Sequence, residues 1–218
     1  MRKTGVTAFD PLPSAPLALA WPTRARCLFS DPSRYIARTR ANPDYGRPGW
    51  TRDCGRRFHR GLDIAPHAVR PAGRTVTVLF SDCATGREYP SDETAWIPDD
   101  EVFAVLPGVV RETNNDASRS DLGRFVVVEQ RWPGPSAPVF CLYAHLDEVA
   151  VREGQAVEAV TRLGTMGQTS RSADARNWMA IAPHLHFEVI TTAGGAHDPL
   201  AFLEAGLRGL PFQGDLGD

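Results

Sequence analysis

Lysine is almost absent from this chain of 218 residues: Lys3 is the only one, so arginine carries nearly all of the positive charge. The 24 basic residues are balanced by 26 acidic ones, which gives a formal net charge of −2 and an isoelectric point near 6.3. A strongly basic nucleic-acid-binding domain would need a marked excess of basic residues. The composition therefore excludes that class, and we expect no nucleic-acid partner.

Long apolar runs are also lacking. A membrane-spanning helix needs roughly 20 consecutive apolar residues, and no run in the chain approaches that length, so we expect no transmembrane segment. The basic start at Met1–Lys3 is followed only by the short apolar run Leu17–Trp21, which Pro22 closes. This is a poor signal-peptide core. We expect either that the chain is not exported by the general secretory route or that its leader is missing from the sequence given.

Cysteines are few and scattered, and the chain has four of them: Cys27, Cys54, Cys83 and Cys141. No two are spaced as Cys-x-x-Cys, so the sequence gives no support to a cysteine zinc site or to a disulfide-rich scaffold. One disulfide in an oxidising compartment is compatible with this number, and Cys54–Cys83 is the favoured pair.

Helical periodicity is scarce, whereas short apolar strings separated by turn residues are common. This pattern predicts a mainly β fold with few short helices. The predicted strands are Val76–Phe80, Glu101–Leu106, Val109–Glu112, Arg124–Gln130, Val139–His145 and His184–Thr191. One short helix is predicted over Pro199–Ala205, with Asp198 as its N-cap.

The domain organisation follows from composition. Residues 1–45 are rich in proline and arginine and predict an extended N-terminal arm; residues 46–205 form the domain, and 206–218 a loosely structured tail. Two stretches within the domain look like insertions, near 74–100 and 170–183. Loops of that length are usually functional walls or lids, or else disordered.

Histidines number only six, and two patterned groups contain three of them. His59 and Asp63 are four residues apart, so they share one face of a strand or a helix. Gly61 and Pro66 argue against a helix. Imidazole and carboxylate are ligands suited to zinc, although a surface His–Asp pair on a turn would have the same spacing.

The second group follows a strict alternation. His184, His186 and Glu188 fall on one face of a predicted strand, and the apolar residues between them fall on the other. Two neighbouring imidazoles are typical metal or acid–base groups; the alternative is a half-exposed strand that happens to carry two histidines. Glu188 is then either an orienting partner of an imidazole or a solvated strand residue.

The remaining histidines are less distinctive. His145 ends a predicted apolar strand, which alone is more typical of a partly buried structural histidine, and His67 and His197 are interpreted as structural or surface residues. A catalytic zinc typically has three protein ligands and one open position. His59, Asp63 and one histidine of the His184/His186 pair would supply such a set, which leaves other histidines to handle protons.

With these motifs, the sequence resembles the lysostaphin-like, or LytM-type, zinc metallopeptidases. The resemblance rests on Phe58–Ala65, Tyr143–Leu146 and Pro183–Val189 in that order, and it covers roughly residues 45–205. It implies a mainly antiparallel β fold of the duplicated hybrid-motif type, in which the sheets form a groove with a metal at its floor. It also implies cleavage of peptide bonds in bacterial peptidoglycan.

The resemblance implies one Zn²⁺ per chain, held by His59, Asp63 and His186, with His145 and His184 as catalytic histidines. His145 would be the general base, and His184 would assist the water or the oxyanion. The implied protein is a zinc-dependent metalloendopeptidase that hydrolyses peptidoglycan stem or cross-bridge peptides through a metal-activated water. Its expected location is extracytoplasmic: the periplasm, the cell wall or the medium.

Two other functions fit the same resemblance. Some relatives keep the fold without the metal and regulate cell-wall hydrolases, and a zinc peptidase of this type could act on a peptide outside the wall. The two insertions are expected to reshape the groove walls. In some relatives an upstream segment occludes the metal; the arm before residue 45 would be the equivalent segment here, with Asn42 as the plug.

Overall fold

The computed structural model describes residues 7–12, 19–24, 35–38, 42–130, 138–171 and 182–207, and for residues 79–81 it describes the backbone alone. Most of the second predicted insertion, Cys27 and the tail beyond residue 207 lie outside the described residues. Within the described part the chain is mainly antiparallel β, which confirms the predicted fold class. No helix in that part is long and apolar enough to cross a membrane.

The strands of the described chain are numbered in sequence order. They are β1 Gly49–Arg52, β2 Arg57–His59, β3 Leu62–Ile64, β4 Val69–Asp82, β5 Arg87–Pro98, β6 Glu101–Phe103, β7 Gly108–Asn114, β8 Arg124–Gln130, β9 Val139–Val149, β10 Ala156–Val157, β11 Arg162–Met166, β12 Leu185–Ile190 and β13 Ala196–His197. A 3₁₀ turn spans Ala117–Arg119, and helix α1 spans Pro199–Leu207.

The long strand β9 is the centre of a nine-stranded sheet. One edge of β9 pairs with β8 along most of its length. The other edge pairs first with β12 and then with β11. Beyond β12 lie β3 and β13, and beyond β8 lie β7 and β10. The strand β9 therefore links the edge that carries β3 to the rest of the sheet.

Apolar residues cover both faces of the sheet at β8. Val126 and Val128 belong to the main core, whereas Phe125 and Val127 pack in a second cluster on the other side. Such two-sided burial explains why this segment is a nearly continuous apolar run. Helix α1 begins as predicted, because the Asp198 side chain accepts hydrogen bonds from the backbone N–H groups of Leu200 and Ala201.

The first predicted insertion is neither a loop nor disordered. Strands β4 and β5 form a two-stranded ribbon of their own, with an irregularity between Pro71 and Thr75. The polar composition of the segment suits a ribbon that is largely exposed, because neither face needs to be apolar. A disulfide joins Cys83, in the turn of the ribbon, to Cys54, in the turn between β1 and β2. The predicted pairing is thereby confirmed.

Described parts of the N-terminal arm lie against the sheet. Asp10 bridges to His197, Thr23 to Val102 and Ile36 to Ile64. The backbone N–H of Ala37 also donates to the carbonyl of Asp63, at 2.8 Å. The arm therefore supplies backbone partners to the outer edge of β3, which would otherwise be an open strand edge.

Candidate active site

Three adjacent strands bring distant parts of the sequence together. In the register of the sheet, His186 of β12 lies opposite Asp63 of β3 on one side and Ala144 of β9 on the other. His145 follows Ala144 directly. Because paired residues on one face of a sheet have neighbouring side chains, the strand order alone places Asp63 and His186 in contact.

His59 joins this pair from the end of β2. Its Nε2 lies 3.2 Å from Asp63 Oδ1 and 3.3 Å from His186 Nδ1. His186 Nδ1 in turn lies 2.8 Å from Asp63 Oδ1. All three residues are buried, and these three atoms form a compact triangle.

The triangle has the dimensions of a zinc site. Zinc bound tetrahedrally at 2.0–2.2 Å implies ligand-to-ligand distances of about 3.3 Å. The three donor atoms are separated by 2.8 to 3.3 Å, and two imidazole nitrogens with one carboxylate oxygen are a common catalytic zinc set. The residues therefore fit the metal.

In His59 and His186, one ring nitrogen has a hydrogen-bond partner outside the triangle, and this contact turns the other ring nitrogen toward the triangle. His59 Nδ1 lies 2.8 Å from the Arg47 carbonyl, so it carries the hydrogen and leaves the Nε2 lone pair available. His186 Nε2 lies 2.9 Å from Glu188 Oε1, which leaves Nδ1 for the site. Glu188 is thus the partner of an imidazole, an arrangement that orients metal ligands and makes them more basic.

The charges of the group are strongly coupled. Burial alone would lower the pKa of His186, but its hydrogen bonds to Asp63 and Glu188 outweigh burial and raise that pKa to about 9. Burial would raise the pKa of Asp63, yet the neighbouring histidines, His184 first, hold it well below its ordinary value. Asp63 is therefore an anion in a buried place and requires a cationic partner.

His145 is held in an unusual backbone conformation. Its φ is +63°, and it is the extra residue of a β-bulge, because Phe125 pairs with Ala144 while the adjacent Arg124 pairs with Leu146. Its Nδ1 lies 2.8 Å from the Thr169 carbonyl. A non-glycine residue with positive φ costs on the order of 1–3 kcal/mol, and such strain clusters at functional sites.

His184 faces His145 across the same corner, with ring centroids 4.8 Å apart. Its Nδ1 lies 2.7 Å from the Ala182 carbonyl, and its backbone N–H donates to Gly167. Both imidazoles therefore carry their hydrogen on Nδ1 and present a bare Nε2. Burial lowers the pKa of both histidines, that of His145 well below its ordinary value, so both are neutral at pH 7.

Gly61 is required by this packing. A methyl group added to Gly61 would lie 2.7 Å from Nε2 and 2.8 Å from Nδ1 of His186, and closer still to the carbon between them. Any side chain at this position would therefore push the His186 ring out of place.

One site residue has no signal in the sequence. Arg52 of β1 is buried and forms an ion pair with Asp63 Oδ2, and its guanidinium lies 2.9 Å from His59 Nε2. Asn42, the predicted plug, instead donates from its side-chain amide to the Thr51 carbonyl and accepts from the Asp44 N–H. Among the contacts of the described residues before His59, the side chain that reaches the ligand triangle is therefore that of Arg52 and not that of Asn42.

The chain is similar to known proteins. The profile of peptidase family M23 matches residues 94–199. Residues 94–199 belong to peptidase family M23. The resemblance to the lysostaphin-like, LytM-type peptidases is thereby confirmed. A comparison with curated protein sequences finds no match.

Solved structures of similar fold include three that illustrate the range. The SpoIIQ–SpoIIIAH pore-forming complex contains a chain with 26% identity, over 51% of this chain and 66% of that one, at a TM-score of 0.36. A structure from Pseudomonas aeruginosa assigned to peptidase M23 has 18% identity over 91% of this chain and 55% of that one, at a TM-score of 0.47. The catalytic domain of lysostaphin from Staphylococcus simulans has 18% identity over 73% of this chain and 90% of that one, at a TM-score of 0.42. The aligned part is thus less than two thirds of the first two of these chains.

The matched segment of the M23 domain includes only part of the candidate site. His145, His184 and His186 lie within residues 94–199, whereas His59 and Asp63 precede them. The strand pairing of β3 with β12 adds Asp63 and, through the short β2–β3 connection, His59. All five sequence-predicted site residues therefore meet in one corner of the sheet.

Proposed function

We propose that this M23 domain is a zinc-dependent metalloendopeptidase that hydrolyses the stem or cross-bridge peptides of bacterial peptidoglycan. His59, Asp63 and His186 hold one zinc ion, and His145 and His184 are the catalytic histidines. The observation that carries the proposal is the ligand triangle itself. Its edges of 2.8 to 3.3 Å suit a tetrahedral ion, and two neutral imidazoles border it on one side.

Zinc, when bound, would supply a Lewis acid for the scissile carbonyl and lower the pKa of water toward 7. His145 acts as the general base, since its bare Nε2 accepts a proton from the attacking water while its Nδ1 stays fixed on the Thr169 carbonyl. The same Nε2–H then donates that proton to the leaving amine. This second transfer returns His145 to its neutral form.

His184 assists at the same corner, where its Nε2 lies 3.7 Å from Asp63 Oδ2. Its Nδ1 is fixed by the Ala182 carbonyl, so its Nε2 can only face the site. In that position His184 orients the water as an acceptor or, once protonated, supports the developing oxyanion as a donor.

A cleft of about 650 Å³ lies beside the segment 167–169, whose carbonyls anchor His145 and His184; none of the five site residues lines the cleft. Gly167, which accepts the backbone N–H of His184, lines it. Side chains of both charges line the same cleft, including Arg70, Arg162 and Asp99. A mixed lining of this kind suits a peptide that carries both amino and carboxylate groups, as peptidoglycan stems do. The disulfide of the ribbon favours an oxidising, extracytoplasmic location.

The test is hydrolysis of purified sacculi by the purified chain. We expect release of muropeptides that stops with a chelator and returns with one equivalent of zinc. His186→Ala should lose activity by more than about a thousandfold, whereas His67→Ala, a change at an exposed histidine outside the triangle, should not. Full activity of the His186→Ala protein would refute the proposal.

A second candidate is a non-catalytic LytM-type regulator of wall hydrolases. The contact of Arg52 with Asp63 and His59 favours it, because a guanidinium already neutralises the buried carboxylate. Zinc analysis separates the two: about one zinc per chain favours the enzyme, and none favours the regulator. Cleavage of glycine-rich or stem peptides without cleavage of sacculi would indicate a peptidase that acts outside the wall.

A further inference from the structure

Arg52 is the one arginine whose side chain contacts the ligand triangle among the contacts of the described residues. It is 7% exposed, and its guanidinium stacks on the ring of Tyr45 with 3.8 Å between the guanidinium carbon and the ring centroid. One terminal nitrogen contacts Asp63 Oδ2 and lies 2.9 Å from His59 Nε2 and 3.5 Å from its Nδ1. The arginine is therefore packed, buried and aimed at two of the three proposed ligands.

The imidazole of His59 can bind either Arg52 or a metal ion at its Nε2, but not both. A neutral imidazole has one N–H and one lone pair. The Arg47 carbonyl takes the N–H at Nδ1, so the lone pair lies on Nε2, where the Arg52 guanidinium donates to it. A metal ion bound by His59 would need the same lone pair. The guanidinium and the metal are therefore alternative partners of His59 Nε2, and Coulomb repulsion between the two cations separates them further.

The contact with Asp63 does not conflict in the same way. Arg52 contacts Oδ2, whereas Oδ1 faces His59 and His186. A carboxylate can accept from an arginine on one oxygen while its other oxygen binds a metal. Arg52 can therefore leave His59 and still hold Asp63 in the orientation that presents Oδ1.

We propose that Arg52 is a positioning residue of the metal centre that acts as a resident cation: it donates to His59 and Asp63 in the metal-free protein and gives up His59 when zinc binds. This inference rests on the proposed function, because it assumes that the triangle binds zinc. It assigns to Arg52 a cost in metal affinity in exchange for a metal-free site in which both oxygens of the buried carboxylate have a partner, His186 at Oδ1 and Arg52 at Oδ2.

The experiment measures zinc affinity by competition with a chromophoric chelator, together with the melting temperatures of the metal-free and zinc-loaded proteins. The variant is Arg52→Gln, and the matched control is Arg57→Gln, which removes an exposed arginine from the same hairpin. We expect Arg52→Gln to bind zinc more tightly, on the order of tenfold, because a charge-assisted hydrogen bond no longer has to be broken. Its metal-free form should melt at a lower temperature than the wild type, while the zinc-loaded forms differ less.

The outcomes separate this inference from the proposed function. Tighter zinc binding by Arg52→Gln, or a variant that folds only with zinc, supports the resident cation, and Arg52→Lys should then lie between the two proteins. Equal or weaker binding by Arg52→Gln overturns the inference while the zinc site stands. Zinc binding by neither protein overturns the zinc site and the inference together, and Arg57→Gln must match the wild type throughout.

Discussion

The nine-stranded sheet and the small β1–β2 hairpin hold their parts of the site in different ways. On the sheet, strand register fixes Asp63, His186 and His145, and core packing on both sides keeps that register. The hairpin pairs only with itself in the described chain. It contributes His59, which the Arg47 carbonyl orients, and Arg52, which contacts Asp63 and His59, and its turn is anchored by the disulfide.

The part of the site on the sheet is therefore the more rigid one, and the part on the hairpin can move more easily. A ligand fixed by several strands moves only if the sheet deforms, whereas a ligand on a two-stranded hairpin moves with the hairpin. The hairpin also carries Arg52, the alternative partner of its own ligand. Metal loading should therefore be governed from the hairpin and chemistry from the sheet, and four changes test that division.

Gly61→Ala acts at the junction of the two regions and should have the largest effect. The added methyl group overlaps the His186 ring, so we expect zinc affinity to fall on the order of a hundredfold. The measurement is chelator competition. Gly86→Ala is the control: Gly86 has open space around it, and its positive φ, which Gly61 does not share, should cost only about 1–2 kcal/mol of stability. Unchanged zinc affinity in Gly61→Ala would show that His186 is not needed where the sheet places it.

Glu188→Ala tests the sheet side alone. It removes the acceptor of His186 Nε2, so the imidazole becomes less basic and less fixed, and zinc affinity should fall about ten- to a hundredfold. Glu148→Ala removes an exposed carboxylate that pairs with Arg162 and should leave zinc affinity unchanged. Equal affinities in the two variants would contradict the orienting role of Glu188.

The pH dependence of the zinc-loaded protein tests the two histidines of the sheet that we propose as catalytic, His145 and His184. A general base must be neutral, and burial lowers the pKa of both His145 and His184 below the ordinary 6.5. Activity should therefore persist through pH 6.5 and fall about tenfold per pH unit only below the depressed pKa. Zinc content is measured at each pH to exclude metal loss. An acid limb centred above pH 7 would argue against a buried neutral base.

Removal of the disulfide by Cys54→Ser with Cys83→Ser should affect the sheet least. The bridge closes a separation of 29 residues, so its loss should cost about 3 kcal/mol in the free energy of unfolding of the part it anchors. Denaturation monitored with and without reductant measures this cost, and Cys141→Ser, at a buried unpaired cysteine, is the comparison. The rate of the zinc-saturated enzyme should barely change, because His145 and His184 lie on the sheet. A large loss of that rate would mean that the hairpin also positions the chemistry.

The sequence was most informative where local chemistry and long-range structure agree. The alternation of His184, His186 and Glu188 predicted one strand face, and Asp198 with Pro199 predicted the start of the helix. Only Val76–Phe80 of the long ribbon was predicted as a strand; the rest was missed because its exposed strands lack apolar alternation. Arg52 was missed for a different reason: nothing near it in the sequence distinguishes a buried arginine from an exposed one, since its partners are brought to it by the fold.

The bulge interrupts the regular pairing of β8 with β9 at His145, the residue that we propose as the general base. Residue 145 is surplus to the pairing of β8 with β9, since the residues on either side of it find adjacent partners. A chain one residue shorter at this point would have an unbroken ladder between β8 and β9, but it would lack the imidazole proposed as the general base. If the proposed function holds, a single-codon deletion at this point would turn a hydrolase into an inert scaffold with a more regular ladder.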